Sequence, residues 1–380
     1  MKKILVCSTD VMMFLFLVPH VRKLISDGFS VDVACSYADE YIQEDYRRKI
    51  LESLPDGCTF FSISSVRSPF SFKNFKAYRQ LRDVILNGNY DLVWANEPVV
   101  GVLSRLAARK VRKSGTKVVY LVHGFHFFKG SPFVNWFFYP FEKICSYFTD
   151  WIITINKADY GFSRKNFSVK TEYIQGIGFP HAKFSTPSAV DVSAKRNEFG
   201  FCIDDIIILA VGELLPRKNH VAAIKALAGV RNESVKLLIC GIGGLQHELE
   251  NLAVNLGVSD RVVFAGLRYD IPEILKVADI FIHPSLREGL GMAPLEAMAS
   301  GLPIITSNVQ GITDYSVNET TGYVCDPHDI GCYIGAINSL LDSAEKRNKI
   351  GQLNIGNARP FDISNSLISL SRIINEILSK

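Results

Sequence analysis

Residues His283 to Asn308 read HPSLREGLGMAPLEAMASGLPIITSN, and this stretch decides the fold. The apolar run Ile280, Phe281 and Ile282 leads into it and is short enough for a buried parallel strand. A loop holding Glu288, Gly289, Leu290 and Gly291 follows. Pro294 is expected at the first helical position, where its missing N–H costs no hydrogen bond. The helix then runs through Leu295, Glu296, Ala297, Met298 and Ala299 and stops at Gly301, a good C-terminal breaker. Leu302 to Thr306 is the next buried strand. Strand, glycine-rich loop, helix and strand make one right-handed crossover of a parallel sheet.

Such a geometry favours a phosphate ligand. A helix N-terminus offers unpaired N–H groups and the positive end of a dipole. Gly289 and Gly291 allow close approach of the backbone to a ligand. Glu288 and Glu296 would lie about 12 Å apart if the span were helical, at roughly 1.5 Å per residue. Donors for phosphates and carboxylate acceptors for sugar and ribose hydroxyls therefore fall on one short segment. Taken alone, the same spacing also fits an ordinary crossover helix with one capping and one exposed glutamate.

The run EGLGMAPLEAMASGLPIITS, with FIHPS before it, resembles the E-x7-E signature of glycosyltransferase family 4, the retaining sugar-nucleotide transferases of GT-B fold. That resemblance implies two doubly wound, Rossmann-like α/β domains facing across a cleft, with a C-terminal helix returning to the first. Boundaries are expected at residues 1–180, 181–360 and 361–380, for acceptor domain, nucleotide-sugar domain and returning helix.

Length and composition agree with two domains. The 380 residues are long for one core, and 48% hydrophobic with 21% charged residues is a globular balance. Eight cysteines are scattered without a C-x-x-C pair, so neither a zinc site nor a disulfide framework is expected, and a reduced cytoplasmic setting is the simplest account. Val11 to Val18 is far shorter than the ~20 residues that span a bilayer. The net +4 conceals +9 on residues 1–190 and −5 on 191–380, and a basic front half suits an anionic surface or substrate. No motif for nucleic acid is present.

Along the first half, Lys3–Cys7, Val31–Cys35, Phe60–Ile63, Tyr90–Ala95 and Lys117–Val122 read as strands. Helices are expected at Phe14–Asp27, Asn74–Asn87 and Val99–Lys113, the second with Phe75, Tyr78, Leu81, Val84 and Ile85 on one face. Ligands of such sheets sit beyond the carboxyl ends of the strands, which singles out Asn96-Glu97-Pro98 and His123-Gly124-Phe125-His126. The blocks RSPF, NFKAYRQLRDVI, VVYLVHGFHFFKGSPFVNWFFYPFEK and TDWIITINKADY resemble the capsule and exopolysaccharide branch of the family. The resemblance implies that His123 faces the donor sugar. His126 is a second candidate. Where that branch carries a histidine-rich HCHTP, this chain has Trp94 to Pro98, which makes Asn96 and Glu97 candidates for the acceptor.

RLAARKVRKSGTK brings Arg105, Arg109, Lys110, Arg112, Lys113 and Lys117 together, and FVNWFFYPF supplies aromatic residues, Trp136 among them, beside Lys129 and Lys143. Cations beside amphipathic aromatics suit an anionic membrane surface, at about 1 kcal/mol per cation. A solvated helix end beside a core-packed aromatic loop is the alternative.

Gly, Pro and Ser mark a linker at Ile174 to Val192. Beyond it, a strand at Ile206–Val211 leads to Gly212 and the basic pair Arg217-Lys218 before a helix, a phosphate-binding arrangement. In the family this loop carries an arginine after the glycine and a lysine at its end. Lys218 matches the lysine, Glu213 stands at the arginine position, and Arg217 is the candidate replacement. Gly241, in a Gly241–Gly244 cluster after the strand Val235–Cys240, matches a turn beside the nucleotide, and Arg268 falls on a loop near the base. Gly322 and Val324 match a following GxxV hairpin. Ile363, Leu367, Leu370, Ile374 and Leu378 space as one helix face.

No D-x-D occurs, so neither metal nor cofactor is expected. Lys218, Arg217 and the helix tip at 291–295 would then neutralise a departing diphosphate. The function expected is a retaining transfer of a hexose or N-acetylhexosamine from a UDP-sugar to a polyprenyl-diphosphate-linked saccharide, at the inner face of the cell membrane. The donor would be held by Gly212, Arg217, Lys218, Gly241, Arg268, Glu288, Gly289, Leu290, Gly291 and Glu296, with His123, Glu288 and Lys218 in the chemistry. A catalytically silent UDP-binding scaffold and a UDP-sugar epimerase of the same fold are the alternatives.

Overall fold

A computed structural model describes residues 1–37, 44–128, 130–186 and 190–379. Lys129 and residues 187–189 of the expected linker lie outside them. The chain forms two compact units, Met1–Gly178 with Ser364–Lys380, and Phe179–Ile363.

The first unit is a parallel sheet of seven strands: β1 (Lys3–Asp10), β2 (Ser30–Ser36), β3 (Phe60–Ser62), β4 (Leu92–Asn96), β5 (Lys117–Val122), β6 (Trp151–Thr154) and β7 (Lys170–Tyr173). Their order is β3-β2-β1-β4-β5-β6-β7, which reverses direction between β1 and β4. Both faces are covered, so β1 and β4 are buried almost throughout, with Ile4–Cys7 and Leu92–Ala95 reading as continuous apolar runs rather than alternating ones. The helix Ile363–Leu378 closes this unit. Its Ser366 Oγ lies 3.0 Å from His20 Nε2, and Glu376 pairs with Lys170 at 2.7 Å.

The second unit is a parallel sheet of six strands: β8 (Ile206–Val211), β9 (Val235–Cys240), β10 (Val262–Gly266), β11 (Ile280–His283), β12 (Ile304–Ser307) and β13 (Gly322–Cys325). The order β10-β9-β8-β11-β12-β13 reverses between β8 and β11. Ile280, Ile282 and Ile305 are sealed in its core with Ile208, Leu237 and Ile239. Each such side chain contributes about 1.5–3 kcal/mol on burial. The stretch read first falls into place as β11, loop, helix Met292–Ala299 and β12, with β11 and β12 adjacent and parallel.

Several local expectations are corrected. The helix after β11 starts at Met292, so Pro294 is its third residue, still in the first turn where an N–H has no intrahelical acceptor. Residues 14–27 form no single helix: Val11–Leu15 is capped by Asp10, and Val18–Ser26 starts anew because Pro19 cannot donate within a continuing helix. Phe75 is exposed, because the buried face of Lys73–Asn87 is Asn74, Ala77, Leu81 and Ile85. Gly322–Cys325 is a parallel strand beside β12 rather than a hairpin. The returning helix buries Leu370, Ile373, Ile374 and Ile377, a face rotated from the expected one. Finally, Cys325 and Cys332 form a disulfide, which the scattered cysteine spacing gave no reason to expect. The strand end and the following helix start bring their Cα atoms to 5.7 Å, a pairing that the x6 spacing alone does not announce.

Candidate active site

Glycines bring the loops of the second unit together. The Gly212 amide donates to Cys240 O at 3.0 Å and Leu214 N to Ile242 O at 2.9 Å, so strand pairing continues past the ends of β8 and β9. A Cβ on Gly241 would stand 1.9 Å from Gly212 O, and Gly241 has φ +155°. No other residue fits there. Gly311 in turn packs onto the carbonyl of Gly289.

On this frame four polar side chains meet. Lys218 pairs with Glu288, and both are nearly buried, with side chains 13% and 9% exposed. Glu288 Oε1 also lies 3.1 Å from His283 Nε2 and accepts from Ser285 Oγ at 3.2 Å. Burial pushes the Glu288 carboxyl up, but Lys218 and His283 outweigh it and hold the group well below the usual carboxylate range. Burial also lowers His283, so its imidazole is neutral near pH 7 and donates from Nε2. Arg217 is bound to Glu213 and stands 3.9 Å from Glu288 Oε1. Glu213 thus holds Arg217 beside the cluster.

Next to the cluster lies the N-terminus of Met292–Ala299, entered through Gly291 at φ +80°. Tyr315 Oη donates to Leu290 O and Gly291 O at 2.9 and 3.1 Å and fixes that entry. The Glu296 side chain is half-buried, with no hydrogen bond or ion pair among the described residues. Burial pushes it up to about 7, with Lys183 pulling the other way. Arg268 is tied into a network with Asp270 and Glu198, both at 2.6 Å, and lies over the Phe199 ring.

In the first unit, the residues beyond β1, β4 and β5 converge. Glu97 follows β4 directly, with φ +53°, a left-handed backbone that a side chain rarely adopts. Its carboxylate accepts from Ser8 Oγ at 2.9 Å and from Thr9 N at 2.8 Å. With no cation paired to it among the described residues, burial pushes Glu97 up to about 7. Asn96 donates to Cys7 O at 3.0 Å, and its Oδ1 lies 3.5 Å from His123 Nε2. Burial lowers His123 to about 4, so it is neutral near pH 7. His126 sits against Phe138, with ring centroids 5.6 Å apart.

Family models match both halves. "Glycosyl transferase 4-like" covers residues 3–156 and "Glycosyl transferases group 1" covers residues 191–355. The chain is 37% identical over 359 residues to EpsD of Bacillus subtilis strain 168, whose name places it among glycosyltransferases; the match spans 92% of this chain and 90% of that one. The chain belongs to glycosyltransferase family 4. It is also 30% identical over 349 residues, 86% of each chain, to the UDP-Gal:alpha-D-GlcNAc-diphosphoundecaprenol alpha-1,3-galactosyltransferase of Escherichia coli. Anabaena Alr3699/HepE, solved in complex with UDP and glucose, superposes with TM-score 0.81 at 20% identity over 99% of this chain and all of that one. The sucrose-phosphate synthase of Thermosynechococcus elongatus does so with TM-score 0.82 at 19% identity over the full length of both chains. The fold is GT-B.

In this glycosyltransferase the expected basic and aromatic cluster divides between exposed and buried positions. Arg109, Lys110 and Lys113 are exposed at the end of the helix Pro98–Arg112, while Arg112 is paired with Asp150 at 2.9 Å. Arg105 leaves the expected cluster. It is fully buried, paired with Glu142 at 2.7 Å and stacked on Tyr120. Phe133, Val134, Phe137, Phe141 and Ile144 are exposed, and Phe70 reaches Phe137. Trp136 is half packed against Phe127, Tyr139 and Phe162. Among the described residues no helix is long and apolar enough to cross a membrane.

Sequence reasoning missed His283, Ser285 and Tyr315 as site residues. The first two lie in the FIHPS run that served only to mark the family, and their signal is position: they leave the carboxyl end of β11, next to the point where strand order reverses. Tyr315 stands 24 residues from Gly291 and gives no local signal.

Proposed function

We propose that this enzyme moves a hexose or N-acetylhexosamine from a UDP-sugar to a saccharide carried on a polyprenyl diphosphate, with retention of configuration, in capsule or exopolysaccharide synthesis. The observation that carries the reading is the buried Lys218–Glu288–His283–Ser285 cluster beside a helix N-terminus, where β8 and β11 diverge. Open α/β sheets bind nucleotides at that point. The second unit would take the donor, the first the acceptor. The Escherichia coli relative, named for a UDP-Gal donor and a lipid-diphosphate acceptor, supports both choices.

In this reading Lys218, Arg217 and the first-turn amides of Met292–Ala299 neutralise the diphosphate. Glu296 accepts from ribose hydroxyls, and Glu288 accepts from the sugar while restraining Lys218. Gly212, Gly241, Gly289, Leu290 and Gly291 supply close-approaching backbone, and Arg268 reaches the donor only by leaving its carboxylates. His123 hydrogen-bonds the donor sugar, and Asn96 and Glu97 shape the acceptor site. The bond from the sugar's anomeric carbon to the diphosphate breaks with its electron pair leaving on oxygen. An acceptor hydroxyl adds to the same face, its proton passing to the departing phosphate. Stabilising the charge that develops on the diphosphate is the largest contribution the protein makes.

The test is incubation with a panel of UDP-sugars and a short-chain polyprenyl-diphosphate-GlcNAc acceptor. The expected result is a mass gain of one sugar, with an α-linkage by NMR. Transfer only from another nucleotide sinks the donor reading, and a β-linked product sinks retention. Membrane association is proposed through Arg109, Lys110, Arg112, Lys113, Trp136 and the exposed aromatics. The protein should pellet with phosphatidylglycerol vesicles and be released by salt. Equal pelleting with neutral phosphatidylcholine would remove the role of the cations.

A further inference from the structure

Lysine carries a point charge on a flexible four-carbon stem, so its use at a diphosphate depends on what fixes the stem's origin. Lys218 closes the turn Pro216–Lys218, and Asn219 joins that turn to the helix His220–Ala228. Asn219 is left-handed, with φ +55° and ψ +39°. Asparagine and glycine tolerate that region far better than other residues.

Both hydrogens of the Asn219 amide are used. Nδ2 donates to Pro284 O at 3.0 Å and to Pro327 O at 3.0 Å. Pro284 separates His283 from Ser285, the two groups bonded to Glu288. Pro327 lies in the loop closed by the Cys325–Cys332 disulfide. On the other side of Lys218, Arg217 O accepts from Leu286 N at 2.8 Å. Lys218 is therefore flanked by two residues that tie its main chain to the loop carrying its ion-pair partner. One of the two ties is a side chain, and only an amide can make it: aspartate has the shape without the donors, and glycine the backbone freedom without the amide.

We propose that Asn219 is a positioning residue that aims Lys218 at the donor diphosphate, by holding the 212–219 loop to the loops after β11 and β13. The inference rests on the donor-site reading above. It assigns Asn219 no contact with substrate.

The test is UDP binding by calorimetry on the full chain, as a cycle of wild type, Asn219→Gly, Lys218→Ala and the double variant. Asn219→Gly should weaken UDP about tenfold while melting cooperatively. In the Lys218→Ala background the same change should cost less than twofold, because its effect is exerted through the missing ammonium. A full tenfold loss in that background, or no loss in the single variant, overturns the proposal while leaving the donor site in place. No UDP binding by wild type overturns the donor-site reading and this proposal with it. If the glycine variant does not fold, Asn219→Asp keeps the shape and the backbone preference and runs the same cycle with the same outcomes.

Discussion

Glu97 and Glu288 occupy corresponding ground in the two units, and their carboxyls are shifted in opposite directions. Each lies past the carboxyl end of a strand where strand order reverses, Glu97 after β4 and Glu288 in the loop after β11. Each is almost fully buried. Glu288 faces Lys218 and, farther off, Arg217, and stays ionised through the whole physiological range. Glu97 faces Ser8 and Thr9, and burial with no compensating cation leaves it titrating near 7. Hydroxyls satisfy a carboxylate's lone pairs but supply no net charge, so the desolvation cost of the anion is only partly offset. The two glutamates share a position in the fold, and their neighbours decide how readily each ionises.

Removing the cation should erase the contrast with the largest effect. Lys218→Ala leaves a buried, uncompensated carboxylate, so turnover should fall at least a hundredfold and stability by about 3 kcal/mol. Adding Glu288→Gln to it should restore stability but not turnover. Wild-type kinetics in Lys218→Ala would show that the cluster is a fold support alone.

The second test addresses Glu97 through pH. Its folded value is raised above the 4.5 of an ordinary glutamate, so the native chain keeps a proton that the unfolded chain releases between about 4.5 and 7. Its contribution is fully present below 4.5 and is lost as pH rises through 7, a change of about 3 kcal/mol. Urea unfolding at pH 5 and pH 8 should show this loss in wild type and not in Glu97→Gln. Equal pH dependence in both proteins would mean that Ser8 and Thr9 hold an ionised carboxylate after all.

Glu296 sharpens the comparison with the smallest effect. It too is raised to about 7, within the second unit and with only Lys183 opposing burial. Accepting from ribose hydroxyls favours the anion, so UDP affinity should rise severalfold between pH 6.5 and pH 8. Glu296→Ala should weaken UDP about tenfold at pH 8, about 1.4 kcal/mol, and flatten the profile. A profile unchanged by the substitution would take Glu296 out of the donor site.

Much of this was legible beforehand because parallel strands buried on both faces are continuous apolar runs. Ile280–Ile282 and Ile206–Val211 announced themselves, and the loops after them followed. The errors have physical causes. Pro19 breaks a helix whose apolar pattern continues through it, and Arg105 reads as surface charge because nothing nearby in sequence reveals that Glu142 awaits it in the core. The basic surface is smaller than the sequence suggests for that reason.

The sequence by itself determined the two-sheet architecture, the loops at the strand ends and the family, since these depend on local apolar runs, glycine placement and a contiguous motif. Tertiary structure alone decided which charges are compensated and which loops are tied: Lys218 meets Glu288 across 70 residues and Arg105 meets Glu142 across 37, while the Asn219 amide reaches Pro327 O across 108. Charge states in a low-dielectric interior follow from neighbours in space, and a linear chain does not record those.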